Sequence, residues 1–182
     1  MTDPEDDKLL DQCRDEATRY SAFNKLVVKY HQRVYWHIRK IVVDHDDAND
    51  VVQNVFVKAW KALPEFRRDS GFYTWIYRIA TNECLSLLRE RKQRSIISLD
   101  DMQHQLADKL ASDPLYSGDK IQLKLQQAVM KLPPQQRLIF TLKYYENKKY
   151  EEIAILLGLT VGGLKASYHH AVKKIEKSVL GD

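Results

Sequence analysis

Along most of this chain apolar residues return every three or four positions, and that rhythm lapses over residues 95–118. A repeat near 3.6 residues belongs to amphipathic helices that each bury one face. Phe23, Leu26, Val27, Tyr30, Val34, Ile38, Ile41 and Val42 predict a first long helix over residues 20–43. The run His45–Asp50 interrupts the period and supplies N-cap chemistry. Val51, Val52, Val55, Phe56, Ala59, Trp60 and Leu63 then stripe a second helix that Pro64 closes. Residues 66–72 read as a loop with Gly71 as its turn residue. Ile76, Ile79, Ala80, Leu87 and Leu88 form the apolar edge of a third helix, from Tyr73 to about Arg91. Ser95, Asp100, Asp101, Ser112, Asp113, Pro114, Ser117 and Gly118 mark a linker, with a short helical piece near Gln103–Leu110. Helices resume at 121–131, which ends on Leu132-Pro133-Pro134, and continue at 135–145, 150–157 and 161–180. The expected fold class is all-α: two small helical domains, 1–94 and 119–182, joined by a flexible acidic linker, 95–118.

A chain of 182 residues has room for one ordinary domain or two small ones. With 44% hydrophobic and 30% charged residues it is no disordered polymer, and six glycines with five prolines suit helices better than strands and turns. No apolar run approaches the roughly 18 residues of a membrane span. The acidic start, Asp3 to Asp7, is the reverse of a secretory signal. Cys13 and Cys84 are far apart and in no CxxC pair, as expected of reduced thiols. A cytoplasmic protein without membrane insertion is expected. Charge is segregated. Residues 1–16 hold seven acids and two bases, and 95–122 five acids and two bases; 66–94 hold seven bases and three acids, and 123–182 ten bases and five acids. Basic blocks of this kind match either a polyanionic partner such as nucleic acid or a solvated, mildly basic surface.

Residues 150–176 carry the most specific local pattern, a short helix, a tight turn and a second helix. Ala154 is small where two helices cross, Gly158 can take the positive φ of the turn, and Thr160 can cap the second helix. Val161, Leu164, Tyr168, Ala171, Val172 and Ile175 should face inward. That leaves Gly162, Ala166, His169, His170 and Lys173, flanked by Lys165, on the outer face. In a helix-turn-helix such a face enters the major groove. Gly162 and Gly163 each cost the helix about 1 kcal/mol relative to alanine, and in return a bare backbone permits close approach to DNA.

The third helix of the first half mixes bases and aromatics. Thr74, Arg78, Thr81, Asn82 and Arg89 fall on one broad face, Trp75 stands a heptad before Asn82, and Arg67, Arg68, Phe72 and Tyr73 lie just upstream. Cations can follow a single-stranded backbone while rings stack on unpaired bases, and an asparagine amide can read a base edge. The competing placement puts Trp75, Tyr77 and Phe72 in the core, and for Tyr77 it is preferred. His31, His37 and His45 are accompanied by no HExxH, CxxC pair, nucleophile elbow or phosphate-binding GxxxxGK[ST]. No catalytic residue, metal or cofactor is expected.

These motifs, in order, resemble a bacterial RNA polymerase sigma factor of the extracytoplasmic-function group, over nearly the whole chain. Residues 47–60 resemble the helix that docks on the clamp helices of the polymerase β′ subunit, and residues 66–82 the −10 melting and recognition segment. Leu132–Arg137 and the helix-turn-helix resemble the −35-binding domain, which meets the β flap. The resemblance implies an alternative sigma factor that binds core RNA polymerase, directs it to promoters and helps open the −10 region. By position, Asp47, Asp50, Gln53 and Asn54 would meet polymerase. Arg67, Arg68, Asp69, Ser70, Gly71, Phe72, Trp75, Arg78 and Asn82 would meet the −10 strand, with Asp69–Phe72 holding a flipped base. Gly163, Lys165, Ala166, His169, His170 and Lys173 would meet the −35 duplex. The linker would thread polymerase channels. An anti-sigma factor that covers the same surfaces is an implied partner. Two departures stand out: Asn54 occupies a usual glutamate position, and Ser167, His169 and His170 fall where arginines are common. A helix-turn-helix regulator acting without polymerase would explain residues 150–176 but leave 47–82 without a purpose.

Overall fold

The computed structural model describes residues 3–42, 44–94 and 120–180, all helix, turn and loop with no strand among them. The expected linker and its helical piece at 103–110 lie outside the described residues. The chain divides into two compact units, Met1–Cys84 and Leu85–Asp182.

The first unit opens with α1, Pro4–Gln12, a helix that apolar spacing did not announce. The local chemistry specifies it well. Asp3 caps it by accepting the Glu5 N–H at 3.0 Å, Pro4 occupies the first turn, and Glu5, Asp6 and Asp7 face the positive end of the helix dipole. Leu9, Leu10 and Cys13 fix its inner side. α2 spans Glu16–Val42, starting four residues before the expected position, and buries Phe23, Leu26, Tyr30, Val34, Ile38, Ile41 and Val42 as the period requires. α3 spans His45–Ala62. Residues 45–50 therefore belong to the helix: Asp44 alone caps it, accepting N–H groups of Asp46 and Asp47 at 3.0 and 3.2 Å. A 3₁₀ turn, Leu63–Glu65, follows. α4 runs Phe72–Arg94. Its buried edge is Phe72, Ile76, Tyr77, Ala80, Thr81 and Cys84.

Two polar links set the packing of this unit. His37 of α2, fully enclosed, shares a hydrogen bond of 3.0 Å with Thr81 of α4, and the Tyr77 hydroxyl donates to the Arg33 carbonyl at 3.1 Å. Buried polar groups need such partners, and both links register α4 on α2. At the other side, Lys29 of α2 reaches Asp3, Glu5 and Asp6 of the α1 region, each at 2.8 Å. The Tyr30 hydroxyl donates to Asp6. Burial works against the Lys29 ammonium, but the three carboxylates outweigh it and push its pKa up; the Lys29 hydrogen bond and the Glu5 N–H hold Asp3 below its ordinary value.

In the second unit α5 spans Lys120–Met130 and α6 spans Pro134–Phe140, with Pro133 and Pro134 turning the chain between them. The buried Arg137 guanidinium donates to the Met130 carbonyl across that turn, and burial brings its pKa down to about 10. The expected helix 135–145 changes winding at Thr141–Tyr145, a π-helical turn in which the Glu146 N–H donates to the Thr141 carbonyl at 3.2 Å. α7, Tyr150–Leu157, and α8, Val161–Leu180, complete the unit. Ala128, Val129, Leu132, Phe140, Ala171 and Ile175 form one cluster of its core, and Leu138, Ile139, Leu142, Ile153 and Leu164 are fully buried as well.

Candidate polymerase and promoter interfaces

α3 presents two faces. Ala48, Val51, Val52, Val55, Phe56 and Ala59 are buried, while Asp50, Gln53, Asn54, Val57, Lys58 and Lys61 are exposed. Of the residues expected to meet polymerase, Asp50, Gln53 and Asn54 lie on this open face, and Asp47 is half-buried, its N–H tied to the Asp44 cap. Val57 is 50% exposed in the middle of the polar rim. An apolar centre ringed by amides and carboxylates is the usual composition of a protein-docking patch. Lys58 is tethered to Glu83 of α4, which joins this face to the next one.

The loop before α4 differs from expectation in two ways. Its left-handed residue is Arg68, at φ +61°, and not Gly71. Gly71 instead offers its carbonyl to the Trp75 N–H at 3.1 Å, starting α4. A non-glycine residue with positive φ is held by its surroundings. Here Arg68 donates to Asp11 of α1 at 2.8 Å. The second difference concerns Phe72. At 2% exposure, and packed on Tyr30 (ring centroids 5.4 Å), Phe66 and Trp75, its ring is core and unavailable for stacking on a base.

Arg67 and Asp69 are exposed, and Ser70 and Gly71 half-exposed, so the loop still offers polar groups and backbone to a ligand. Trp75 is half-buried, lying against Phe66 with ring centroids 4.6 Å apart, which leaves part of the indole to solvent. Arg78 and Asn82, four residues apart, are exposed on the same side of α4. Thr81 does not join them. It is 1% exposed and bonded to His37, because a fully buried imidazole takes a hydroxyl partner from the facing helix. Arg89, farther along, is exposed.

The helix-turn-helix has the geometry its sequence specifies. Gly158 sits at φ +66° and closes α7, its N–H donating to the Ala154 carbonyl at 2.9 Å. Thr160 caps α8 by accepting the Gly163 N–H at 3.2 Å. Glu152 accepts the Lys149 N–H at 2.7 Å at the start of α7. Leu164, Ala171 and Ile175 are buried, with Tyr168 stacked on Phe140, its hydroxyl pKa raised mainly by burial. Gly162, Gly163, Lys165, Ala166, His169, His170 and Lys173 are all exposed. Sequence reasoning passed over Tyr150, whose ring takes two ammonium groups, Lys143 at 5.1 Å and Lys165 at 5.8 Å from its centroid. The signal was present: a tyrosine at the first turn of the first helix beside the lysine cluster 143, 148 and 149.

The Sigma-70 region 2 family model matches residues 26–94, and the Sigma-70, region 4 model matches 122–175. The RNA polymerase sigma-H factor of Pseudomonas aeruginosa is 33% identical, covering 98% of this chain and 96% of its own length. The chain belongs to the sigma-70 family. The ECF RNA polymerase sigma-E factor of Escherichia coli, 32% identical over 95% of this chain and 96% of its own, places it in the extracytoplasmic-function group. Two solved structures share the fold of this sigma factor. CnrH in complex with the cytosolic domain of CnrY gives a TM-score of 0.67 at 24% identity, covering 98% of this chain and 99% of that one. The sigma factor RpoE in complex with the anti-sigma factor NepR from Bartonella quintana gives 0.65 at 22%, covering 88% and 98%. The chain is an alternative sigma factor: its partners are core RNA polymerase and promoter DNA, and it directs the one to the other.

Proposed function

We propose that the two units divide initiation between them. The exposed face of α3, with Asp47, Asp50, Gln53 and Asn54 around Val57, docks on the β′ clamp helices, and the second unit meets the β flap. Arg67, Asp69, Ser70, Gly71, Trp75, Arg78 and Asn82 hold the opened −10 strand, the loop backbone and Asn82 reading a flipped base. Arg68 contributes from the side of α1. Gly163, Lys165, Ala166, His169, His170 and Lys173 meet the −35 duplex. The observation that carries this reading is that α3 exposes Asp50, Gln53 and Asn54 around Val57, whereas α4 exposes Arg78, Asn82 and Arg89 beside a half-buried Trp75. Helix α4, continuous from Phe72 through the unit boundary after Cys84 to Arg94, supports ending the first domain at 94, and the second domain is taken as 119–182 beyond the tether 95–118.

The chain itself performs no nucleotide chemistry, which belongs to polymerase, and it works in the cytoplasm without membrane insertion; among the described residues no helix is long and apolar enough to cross a membrane. An anti-sigma factor is a fitting partner, since a solved relative of the same fold is a sigma factor held by one. Transcription in vitro from a pool of genomic fragments tests the reading. Core enzyme plus this chain should start RNA at a defined set of sites that core enzyme alone ignores. Specific binding of duplex DNA by a chain that does not co-elute with core enzyme would favour a regulator acting without polymerase.

A further inference from the structure

The region 2 family model begins at residue 26, yet residues before it close one side of a cavity of about 430 Å³ beside the loop that leads into α4. Its floor is apolar, formed by Leu10 of α1 with Leu63, Pro64 and Phe66 of the 3₁₀ turn and loop. Three arginines, Arg14, Arg19 and Arg68, line the rest together with Cys13 and Glu16. Arg19 is braced: it lies over the Trp60 ring, 4.3 Å from the centroid, and donates to the Trp60 carbonyl at 3.2 Å. Arg68 donates one N–H to Asp11. Arg14 is exposed, and its side chain has no hydrogen-bond or ion-pair partner among the described residues. A guanidinium carries five N–H donors, so donors remain on both engaged arginines as well. Burial raises the pKa of the Cys13 thiol at the cavity wall while Arg19 and Arg68 both pull against it, as converging cations should.

We infer that this cavity receives one nucleotide unit of the opened promoter strand, its phosphodiester held by Arg14, Arg19 and Arg68 and its base or sugar resting on the apolar floor. The inference rests on the −10 assignment above and extends it to residues of α1 and the start of α2. Charge favours a strand over a free nucleotide. Glu16 lines the cavity and Asp11 is paired with Arg68, so two carboxylates against three guanidiniums leave about one positive charge, which matches a single phosphodiester and not a di- or triphosphate. Continuity favours it too, because Phe66 and Arg68 flank Arg67 and lead directly into the loop at 69–72.

Holoenzyme reconstituted with the full chain, bound to a premelted template carrying one of its own promoters, provides the test. Arg14→Gln should weaken template binding about fivefold and flatten the plot of log affinity against log salt by about 0.7, the share of one single-stranded phosphate. Asp11→Asn, which releases Arg68 from its carboxylate, should tighten binding several-fold. Undiminished affinity for core enzyme serves as the folding control for both. If both variants bind template with unchanged affinity and slope while Asn82→Ala loses affinity, the cavity takes no strand and the −10 assignment stands. If Asn82→Ala is also without effect, the −10 assignment falls and the inference with it. Dialysis against a deoxynucleoside monophosphate separates the remaining source. Arg14-dependent uptake of the free nucleotide, with template binding unmoved, would overturn the inference in favour of a small ligand.

Discussion

Replacing Gly158 by alanine isolates one term in the stability of the second unit. At φ +66° the residue occupies the left-handed region, and a Cβ built there meets nothing within 4 Å. Crowding by the rest of the unit therefore contributes nothing, and the whole cost is the left-handed conformation of an L-residue, about 1–2 kcal/mol, moderated by the lower entropy of the unfolded alanine chain. With 1.4 kcal/mol per factor of ten, the amides of α7 and α8 should exchange hydrogen roughly five to thirty times faster when exchange follows opening of the unit. The amides of α2, in the other unit, should be unchanged and act as the internal reference. Gly158→Asn should recover most of the loss, because asparagine tolerates this region. The reasoning is refuted if alanine leaves exchange unchanged, or if asparagine is as damaging as alanine.

Gly162→Ala should stabilise α8 by about 1 kcal/mol, since its Cβ also meets open space, whereas Gly163→Ala should gain less because its Cβ would lie 3.1 Å from the capping Thr160 Oγ1. Thermal unfolding ranks the two, and equal stabilisation would contradict the cap. Thr81→Val should cost about 1–2 kcal/mol by stripping His37 of its hydroxyl partner. Urea unfolding followed by tryptophan fluorescence reads it, as Trp36, Trp60 and Trp75 all lie in the first unit; unchanged stability with impaired promoter opening would return Thr81 to the DNA face. Lys29→Gln should free α1 by leaving the buried Asp6 without its ammonium, which pepsin cleavage at Leu9–Leu10 detects. Acid should do the same in the native chain. The folded-state pKa of Asp3 is depressed, so its contribution is complete above the ordinary 3.8 and is lost as pH falls through the lowered value; amide exchange in α1, corrected for the intrinsic acid dependence of exchange, should show it, and protection of α1 that does not fall at any acid pH would contradict the role of the Lys29 ion cluster.

The helices of both units were legible because their apolar residues repeat with a period no strand can satisfy. The helix-turn-helix was legible to the residue, since Gly158 and Thr160 each have a local job that few other residues perform. What escaped is informative. α1 buries too few apolar residues to show a period, and its signal was Asp3-Pro4 followed by acids, a capping signature rather than a hydrophobic one. Thr81 and Phe72 sit beside exposed polar neighbours in sequence, but their orientation is decided by partners on α2, His37 and Tyr30, which helical spacing cannot identify. The left-handed loop position fell to Arg68 because Asp11, some 57 positions earlier, holds its side chain. The π turn at Thr141–Tyr145 has no comparable sequence mark.

The most direct test of the division of labour pairs two variants with two readouts, the affinity for core enzyme and the rate of open-complex formation at one promoter. Asn82→Ala should slow opening at least tenfold while core affinity stays within twofold of the parent chain. Asp50→Ala combined with Gln53→Ala should weaken core binding by a similar factor yet leave opening normal once core enzyme saturates. Equal losses in both readouts from either variant would contradict the account.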